Sequence, residues 1–413
     1  MTPAIADSLF ESSAAQRVRE ALGERDDVWI VGGALRDAAL GRPVVDLDLA
    51  TAGDPSEMAK AIAEVAGDHA FELSAEFGTW RAISRGESWH VDVTRLRGET
   101  VEADLLQRDF TVNSMALPLG AAADEPIDPA GGLADLGRGM LRATSPGGFS
   151  ADPLRILRAA RLAADLGFAV ADQTAAPARS SAARAGEPAG ERQLSELRLL
   201  ISGPDPIGGL AVLDALGGTA GVLPEVSDLR GVEQNPNHHL DVHGHTIEVL
   251  RRLLELEGDL GRAAGERADD LRALLDEPLG DGFSRGRALR LGALLHDVGK
   301  PATRDDSRAY VTFIGHDHVG AEIVGSFAQR MRASRALDAY LRGVTLHHLR
   351  LGFLAGERPL APRRVHEYLR ATEPVSADVT LLTVADRLSA RGEGPIASPE
   401  MVQAHLDLAR EML

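Results

Sequence analysis

Two aspartates separated by one residue lie in the segment VVDLDLA, and this spacing suits metal-dependent chemistry. In an extended strand, residues two apart point to the same side, so Asp46 and Asp48 share one face. Val45, Leu47 and Leu49 are expected on the opposite face. Mg²⁺ binds one or two carboxylates together with substrate phosphates. The pattern therefore predicts either a site for phosphoryl transfer or the polar face of an edge strand.

A glycine pair and an arginine precede this strand and favour the first interpretation. Gly32 and Gly33 lack side chains, so the backbone can approach a phosphate group closely at this point. Arg36 lies about one helical turn after Gly33, where its guanidinium is placed to bind a triphosphate. The combination predicts a nucleotide-binding turn directly before the carboxylate strand.

Two further acids are candidates for a third carboxylate in this site. Asp92 lies in the later strand WHVDVTRLR, where it is either a ligand or a solvent-facing residue, and both interpretations stay open. Asp109 follows Arg108 in QRDFTVNSMAL and either caps the next helix, pairs with Arg108 or contributes to the nucleotide site. We expect Asp109 to combine a structural role with a role in nucleotide binding.

The helix predicted over DPLRILRAARLAADLGF carries a stripe of basic residues. Arg155, Arg158 and Arg161 recur every three residues and therefore share one side of the helix. A solvated charged face would have the same pattern. Three arginines with no acid among them repel one another, however, and this favours a bound anion. A pair of Asp and Arg side chains also has donors and acceptors that mimic a base, so protein side chains alone can recognise the edge of a nucleotide base.

Histidines and aspartates that suit a divalent metal are concentrated in the C-terminal half of the chain. Such ligands on several helices can converge on one or two metal ions inside a bundle. The other interpretation is a helical scaffold in which these side chains only hydrogen-bond, but the ordered set favours metal binding. The sequence does not choose within two neighbouring histidine pairs. The candidates are His245, His296, Asp297, His316 or His318, His347 or His348, and Asp386.

The periodicity of apolar residues places these groups on an α/β domain followed by helices. Strand and helix patterns alternate up to about residue 145, and strand signals then almost disappear. We expect an α/β domain over residues 1–145, a helical region over 146–235 and a second helical region over 236–413. A polar insertion over about 258–287 is expected to be a surface excursion of unknown role.

Composition limits the possible classes of function. The 413 residues, 44% of them hydrophobic, are enough for several cores. The chain has no cysteine, which excludes disulfides, zinc sites built on thiolates and cysteine nucleophiles. The net charge of -18 argues against non-specific coating of nucleic acid. Because no leader pattern or membrane-spanning apolar run is evident, we expect a cytoplasmic protein with no membrane partner.

Four ordered motifs resemble those of the bacterial class II tRNA nucleotidyltransferase and poly(A) polymerase family. They are VGGALRDAALGRPVVDLDLAT, RDFTVNSMAL, IDPAGGLADLGRGMLRAT and DPLRILRAARLAADLGF. The resemblance is strong over about residues 28–170 and looser beyond. It implies a polymerase-beta-like nucleotidyltransferase head, followed by an all-α neck, body and tail. The histidine region resembles the HD phosphohydrolase domain.

The resemblance also implies roles for individual residues. Asp46 and Asp48 would hold catalytic Mg²⁺. Asp152 and Arg155 would bind the edge of cytosine or adenine. The family usually has Glu at the position of Ala151, and a second Arg where this chain has Gln107; we expect both departures to be tolerated. The residues expected to bind the nucleotide are Gly33, Arg36, Arg108, Asp109, Asp152, Arg155, Arg158 and Arg161. The best matches to the metal ligands of HD domains are His245, His296, Asp297 and Asp386.

The activity implied by the resemblance is template-independent addition of C, C and A to the tRNA 3′ end from CTP and ATP. Poly(A) tailing and addition of only CC or only A stay open, although the last predicted helix lacks the basic run that would help to hold diverse RNA ends. A function of another class is metal-dependent phosphoester hydrolysis in the HD region, with a second divalent metal there. A non-catalytic tRNA-binding protein is a third class. The sequence does not indicate the oligomeric state.

Overall fold

The chain folds into two compact units in a computed structural model of the protein. The first contains residues 1–155 and 166–178, and the second contains residues 156–165 and 179–413. The break falls inside one helix rather than near residue 145, and the predicted division into three regions stays a prediction. The residues that the structure describes are 5–23, 25–75, 78–86, 89–120 and 125–413.

A six-stranded mixed sheet forms the centre of the first unit, with strand order β3-β4-β5-β2-β1-β6. Strand β2 lies in the middle of this sheet, and one of its faces is buried. Leu47 and Leu49 on this face are each 1% exposed. The strands of the sheet are β1 Val28–Val31, β2 Leu47–Thr51, β3 Ala70–Ser74, β4 Thr79–Ser84, β5 Trp89–Arg95 and β6 Ala116–Pro118. Four short strands form two further pairs: β7 Met140–Leu141 with β8 Ala169–Val170, and β9 Pro278–Gly280 with β10 Phe283–Ser284.

The carboxylate strand is shorter than the segment VVDLDLA suggests. It begins at Leu47, so the alternation of faces does not extend back to Val45. Val45 was predicted to share the buried face of Leu47 and Leu49, and this prediction was wrong, because its side chain is 53% exposed.

Local signals account for the helices around the sheet. Helix α4 begins where the Asp54 side chain accepts a hydrogen bond from the Ser56 amide, with Pro55 in its first turn. It ends at Gly67, which has a φ of 70°. The helices of this unit are α1 Ile5–Phe10, α2 Ser13–Leu22, α3 Gly33–Ala39, α4 Pro55–Ala66, α5 Val101–Leu105, α6 Gly132–Arg138, α7 Gly148–Ala151 and α9 Asp172–Ser180, and helix α8 Leu154–Leu166 contributes residues to both units.

The second unit is almost entirely helical. Helix α14 begins at a cap formed by Asp241, packs against α17 and α22, and buries Val249 and Leu253. Its helices are α10 Gly190–Ser202, α11 Pro206–Ala215, α12 Thr219–Val222, α13 Pro224–Ser227, α14 Val242–Gly258, α15 Gly261–Ala264, α16 Ala268–Asp276, α17 Arg285–Leu295, α18 His316–Arg330, α19 Arg335–His347, α20 Arg350–Leu354, α21 Pro362–Thr372, α22 Ser376–Ser389 and α23 Pro399–Met412.

The insertion over residues 258–287 is more than a surface excursion. It contains α15, α16 and the β9–β10 hairpin, and α16 packs against α17. Leu271, Leu275 and Phe283 are 2–6% exposed, so the segment adds apolar side chains to the core of the second unit. Many of its charged residues are exposed, but Arg285 is largely buried and pairs with buried Asp378. No helix in the described part of the chain has the length and apolarity needed to cross a bilayer.

Candidate active site and candidate metal centre

Asp46 and Asp48 both lie on the exposed side of the sheet, next to a cavity of about 290 Å³. Asp48 is in β2, opposite Val31 of β1 and Asp92 of β5. Asp46 directly precedes the strand. The cavity is also lined by Gly33 at the start of α3. Their roles as metal ligands stay predictions, but the arrangement leaves two neighbouring carboxylates accessible from one side.

His90 holds the carboxylate of Asp46. Its backbone amide and its Nδ1 atom lie 3.0 and 2.7 Å from Asp46 Oδ1. Partial burial acts to raise the pKa of Asp46, but the hydrogen bonds from His90 outweigh it and leave the pKa lowered. The carboxylate is therefore kept ionised, as binding of a cation requires.

Asp92 lies beside Asp48 and forms a bidentate ion pair with Arg81. The Arg81 Nε and Nη2 atoms are 2.6 and 2.7 Å from the two Asp92 oxygens. The hydrogen bond to Asp92, together with the charges of Asp46 and Asp48, raises the pKa of Arg81 although burial opposes this. Three carboxylates and one guanidinium thus lie on three adjacent strands or, for Asp46, directly before one, and Asp92 is the third acid of the group by position.

Gly32 brings the backbone of the turn against Asp48 and Arg108. A Cβ atom at Gly32 would lie 3.1 Å from Asp48 Oδ2 and 3.4 Å from Arg108 Nη1, and its φ of 78° also favours glycine. Arg108 is oriented by a salt bridge of 2.9 Å to buried Asp104. The two residues are four apart in the chain, a spacing at which side chains of opposite charge commonly pair, although the sequence analysis did not single out Asp104.

Arg36 is positioned by a chain of polar contacts that ends at Asp109. Its Nη1 atom donates to Asn113 Oδ1 at 2.7 Å, and Asn113 Nδ2 donates to Asp109 Oδ1 at 3.2 Å. Asp109 Oδ1 also accepts from the Phe110 amide at the start of a 3₁₀ turn. Asp37 holds the other side of the Arg36 guanidinium at 2.8–2.9 Å. Asp109 therefore has the structural part of its predicted role, and Arg108 pairs elsewhere.

Arg155 holds the segment that carries Arg108. Its guanidinium donates to the carbonyls of Gln107 and Arg108 at 3.0 and 3.2 Å. Gly148 makes room for it, since a Cβ atom there would lie 2.4 Å from Arg155 Nη1. Asp152 precedes the helix and accepts a hydrogen bond from the Leu154 amide.

Arg158 and Arg161 are neutralised by an acid that the sequence pattern did not reveal. Glu196 on α10 lies 3.3 Å from Arg158 Nη1 and 2.7 Å from Arg161 Nε, and its side chain is 9% exposed. The repulsion that favoured a bound anion is therefore compensated within the protein for these two arginines, because Glu196 supplies a negative charge. A role of either arginine in nucleotide binding stays a prediction.

The second constellation is a buried His and Asp cluster inside the helical unit. Asp297, directly after α17, is at its centre. One of its carboxylate oxygens lies 3.1 Å from His296 Nε2, and the other lies 3.3 Å from His316 Nε2. His348 Nε2 is 3.7 Å from that second oxygen. His245 on α14 contacts Asp386 on α22 at 3.0 Å. Five helices therefore contribute to one cluster.

Three of these histidines are oriented in the same way. The Nδ1 atoms of His296, His316 and His348 each lie 2.6–2.8 Å from the backbone carbonyl three residues earlier. A carbonyl only accepts hydrogen bonds, so Nδ1 carries a proton in all three rings, and wherever the ring is neutral Nε2 presents a lone pair to the cluster. His316 Nε2 and His348 Nε2 are 3.3 Å apart. Two lone pairs at this distance repel each other unless a cation lies near them.

The charges within the cluster are also arranged for a cation. Burial acts to raise the pKa of the Asp297 carboxyl, but the charges of His296 and Lys300 outweigh it and hold the pKa well below its usual range. Burial lowers the pKa of His348 to about 3, so this imidazole is neutral. Lys300 Nζ lies 2.6 Å from Asp297 and donates to Gln234 at 2.8 Å.

The donor set fits a divalent metal. His245 and His296 both have a buried Nε2 atom without a well-directed hydrogen bond among the described residues, although carboxylate oxygens are near. Neutral imidazoles held by backbone carbonyls, together with carboxylates, are typical metal ligands. The four predicted ligands, His245, His296, Asp297 and Asp386, belong to overlapping groups whose ligand atoms lie within 4.8 Å of one another.

The structure chooses within the two histidine pairs that the sequence left open. His316 and His348 are in the cluster with Asp297. His318 is exposed, and His347 accepts a hydrogen bond from Arg350. His238, in the loop before α14, also approaches His245 and Asp386 and was not singled out by the sequence. The sequence contained one clue to this role of His238: it lies next to His239 and shortly before His245.

Comparison with known protein families identifies the kind of domain that carries each site. Residues 28–142 match the model of the poly(A) polymerase head domain, and residues 242–391 match the model of the HD domain. The chain therefore combines a nucleotidyltransferase head with a helical HD domain, and this confirms the predicted fold class.

Curated relatives define the family more closely. The chain is 38% identical over 370 residues to the A-adding tRNA nucleotidyltransferase of Deinococcus radiodurans, covering 88% of this chain and 76% of that protein. It is 34% identical over 331 residues to a multifunctional CCA protein of Ectopseudomonas mendocina, covering 75% of this chain and 71% of that one. The chain belongs to the bacterial tRNA nucleotidyltransferase family and is an enzyme of this class, which uses divalent metals.

Solved structures share the fold. A tRNA nucleotidyltransferase complexed with a primer tRNA and an incoming ATP analogue matches with a TM-score of 0.63 and 23% identity, covering 96% of this chain and 98% of that one. The CCA-adding enzyme of Thermotoga maritima, complexed with tRNA, matches with a TM-score of 0.64 and 18% identity over 99% and 86% of the two chains. At these identities the likeness concerns the fold alone.

Proposed function

We propose that this protein adds C, C and A to the 3′ end of tRNA, using CTP and ATP and no nucleic-acid template. The observation that carries the proposal is the exposed pair Asp46 and Asp48, beside a glycine turn and the guanidinium groups of Arg36 and Arg108. In the reaction, the tRNA 3′ oxygen forms a bond to the α-phosphorus while the bond to the β-phosphate breaks and pyrophosphate leaves.

The residues of the head have separate tasks in this proposal. Asp46 and Asp48 would hold Mg²⁺, which when bound would activate the attacking hydroxyl and stabilise the leaving pyrophosphate. Gly33 lets the backbone approach the triphosphate, and Arg36 and Arg108 bind its oxygens. Asp104 and Asn113 keep the two guanidinium groups in place through the contacts described above.

Selection of the base is assigned to protein side chains. Asp152 and Arg155 offer an acceptor and donors to the edge of C or A. Arg155 already donates to the carbonyls of Gln107 and Arg108, so the same side chain joins the base-binding and triphosphate-binding segments. A helix that reads the base makes a template strand unnecessary.

The test uses tRNA that lacks its terminal CCA, incubated with Mg²⁺ and CTP, ATP or both. We expect two added residues with CTP alone and three with both nucleotides, read as product length on a sequencing gel. Asp46→Ala and Asp48→Ala should each lower incorporation by roughly a thousandfold, because several kcal/mol of transition-state stabilisation is lost. Unchanged incorporation in either variant would show that the head is not the catalyst.

A second candidate is addition of the terminal A only. It is favoured by one observation, the 38% identity to an A-adding enzyme over 88% of this chain. The same gel separates the two: an A-adding enzyme extends tRNA ending in CC by one residue with ATP and leaves tRNA without CC unchanged.

A further candidate concerns the HD domain, for which we propose metal-dependent hydrolysis of phosphoesters such as a 2′,3′-cyclic end. The supporting observation is the convergence of the lone pairs of His316 and His348 next to Asp297. A divalent metal bound there would lower the pKa of a water molecule toward neutrality. We expect hydrolysis of 2′,3′-cyclic AMP to be lost in EDTA and in Asp297→Asn, while CTP incorporation by Asp297→Asn remains. Equal hydrolysis by both proteins would contradict the proposal.

A further inference from the structure

The two most exposed large apolar side chains in the described part of the chain lie at one cavity. Ile314 is 70% exposed and Phe353 is 72% exposed. Both line the cavity of about 480 Å³ that opens above the His and Asp cluster. Large apolar groups left in water are unfavourable, and when they gather at the mouth of a cavity they mark a binding surface.

Polar groups and two cations line the same cavity. Asp297, His316 and His348 from the cluster lie at its base, and Lys300 and Arg387 also line it. Lys300 is oriented by Asp297 and Gln234, as described above. The cavity thus has an apolar mouth over a base that suits an anion and a divalent cation.

Arg387 is fixed next to the apolar mouth. Its Nε atom donates to Nδ1 of His405 at 3.3 Å, and His405 is 1% exposed. A Cβ atom at Gly352 would lie 3.4 Å from Arg387 Nη2. The guanidinium therefore lies against the residue that immediately precedes Phe353, so a cation and an exposed aromatic ring are neighbours at this end of the cavity.

A ligand that satisfies both parts has a phosphate at one end and a flat apolar group at the other. Nucleosides with a phosphate on the ribose have this form, since every base has a π face that stacks on an aromatic ring. Inorganic phosphate would leave Phe353 and Ile314 exposed. A protein partner could cover the two apolar side chains but would not use the buried cation Lys300.

We propose that Phe353 and Ile314 form a base-binding wall, so that the HD cavity selects phosphoesters of nucleosides over plain phosphates. The inference rests on the phosphohydrolase activity proposed above and adds the residues that give it specificity. Phe353 stacks on the base, Ile314 packs against its other side, and Arg387 and Lys300 bind the phosphate.

The test places a reporter at the wall itself. Phe353→Trp introduces an indole whose fluorescence a stacked base quenches, and Tyr310→Trp is the matched control, since Tyr310 is 58% exposed but outside the lining of this cavity. The probes are 2′,3′-cyclic AMP, inorganic phosphate and an RNA oligonucleotide ending in a 2′,3′-cyclic phosphate. Rapid mixing in Mn²⁺ separates the quenching on binding from any later hydrolysis.

We expect 2′,3′-cyclic AMP to quench the tryptophan fluorescence of Phe353→Trp. Inorganic phosphate should not quench this variant, and none of the probes should quench the Tyr310→Trp control. Equilibrium dialysis with excess CTP should give binding of 2′,3′-cyclic AMP that is about tenfold weaker or more in Phe353→Ala and near the original in Phe353→Tyr. Binding of phosphate should be the same in all three proteins. Quenching by the oligonucleotide alone would also support the wall and assign it to RNA ends.

The failures of the two proposals are distinguishable. If 2′,3′-cyclic AMP and phosphate bind equally well to the original protein and Phe353→Ala changes neither, the base-binding wall is wrong and the phosphohydrolase proposal stands. If the original protein binds neither probe in Mn²⁺, the phosphohydrolase proposal fails and the wall fails with it. Circular dichroism establishes that each variant is folded before it is compared.

Discussion

His90 is a single residue on which the position of Asp46 depends. The Asp46 carboxylate accepts from its backbone amide and its ring, so two contacts from one residue orient the same oxygen. A hydrogen bond to a charged group is worth about 1.5–3 kcal/mol. His90→Ala keeps the contact from the backbone and loses the one from the ring.

We therefore expect His90→Ala to lower kcat/KM for CTP incorporation by about tenfold while binding of tRNA is retained. The measurement is incorporation of labelled CTP under steady-state conditions. His69→Ala is the matched control, because His69 is also in the head and pairs with Asp68 on the surface. If both variants behave alike, His90 does not position the carboxylate.

His405 makes the stability of the second unit depend on pH. Burial, assisted by the charge of Arg387, lowers the pKa of His405 to about 3, below its ordinary value of 6.5. The folded protein keeps this ring neutral, whereas the unfolded chain binds a proton below the ordinary value. Its contribution is therefore fully present above pH 6.5 and decreases as the pH falls from there toward 3.

Urea unfolding in EDTA, followed by circular dichroism, tests this expectation. In His405→Gln the fall in the free energy of unfolding between about pH 6 and pH 5 should be smaller by up to about 1.4 kcal/mol per pH unit, the value for one proton. His366→Gln, which replaces an exposed histidine, should leave the slope unchanged. An unchanged slope in His405→Gln would mean that this ring is protonated in the folded state.

At the scale of elements, Glu196 joins α10 to α8 through two arginines. Removing this acid leaves Arg158 and Arg161 with less compensation in a partly buried position, and breaking such a pair is costly. We expect Glu196→Ala to lower the free energy of unfolding by about 2–4 kcal/mol.

The control for this prediction is another ion pair of the same unit. Arg184 and Glu187 form a salt bridge in which both side chains are about half exposed. Glu187→Ala should have a much smaller effect, because exposed pairs are screened by water. Equal effects of the two substitutions, measured by urea unfolding, would contradict the structural role of Glu196.

The elements that were predictable from sequence are those whose signals are local. The period of two in LDL identifies the exposed face of Asp48, and capping residues such as Asp54 and Gly67 mark the ends of α4. Partners that come together only in the folded chain gave no signal. Glu196 is 35 residues from Arg161, and His90 is 44 residues from Asp46, so neither pairing follows from spacing.

The same reasoning explains the choice among the histidines. The candidates in the sequence were His316 or His318 and His347 or His348. Local spacing does not show which member of each pair belongs to the cluster. Packing of α18 against α19 decides that one member of each pair faces Asp297. Composition also misled at the insertion, since its charged outer face concealed Leu271 and Phe283 in the core.

At the scale of the whole molecule, two sites in separate units predict two separable activities. Asp48→Ala should lose CTP incorporation and retain hydrolysis of 2′,3′-cyclic AMP, whereas Asp297→Asn should show the reverse. Each substitution acts on a cluster within its own unit, so we expect the effects to add in the double variant. The measurement is both activities on the same four preparations. Loss of both activities in a single variant would show that the two sites depend on each other.

Lysine is rare in this chain, and the burial of Lys300 has a practical consequence. The sequence contains only Lys60 and Lys300. Lys60 is exposed on α4 above the Trp80 ring, whereas Lys300 is 7% exposed. An acylating reagent specific for amines should therefore modify the first side chain at once and the second only when the helical unit opens locally. Mass spectrometry of the peptide containing Lys300 would then record how often that opening occurs, with Lys60 as the internal standard.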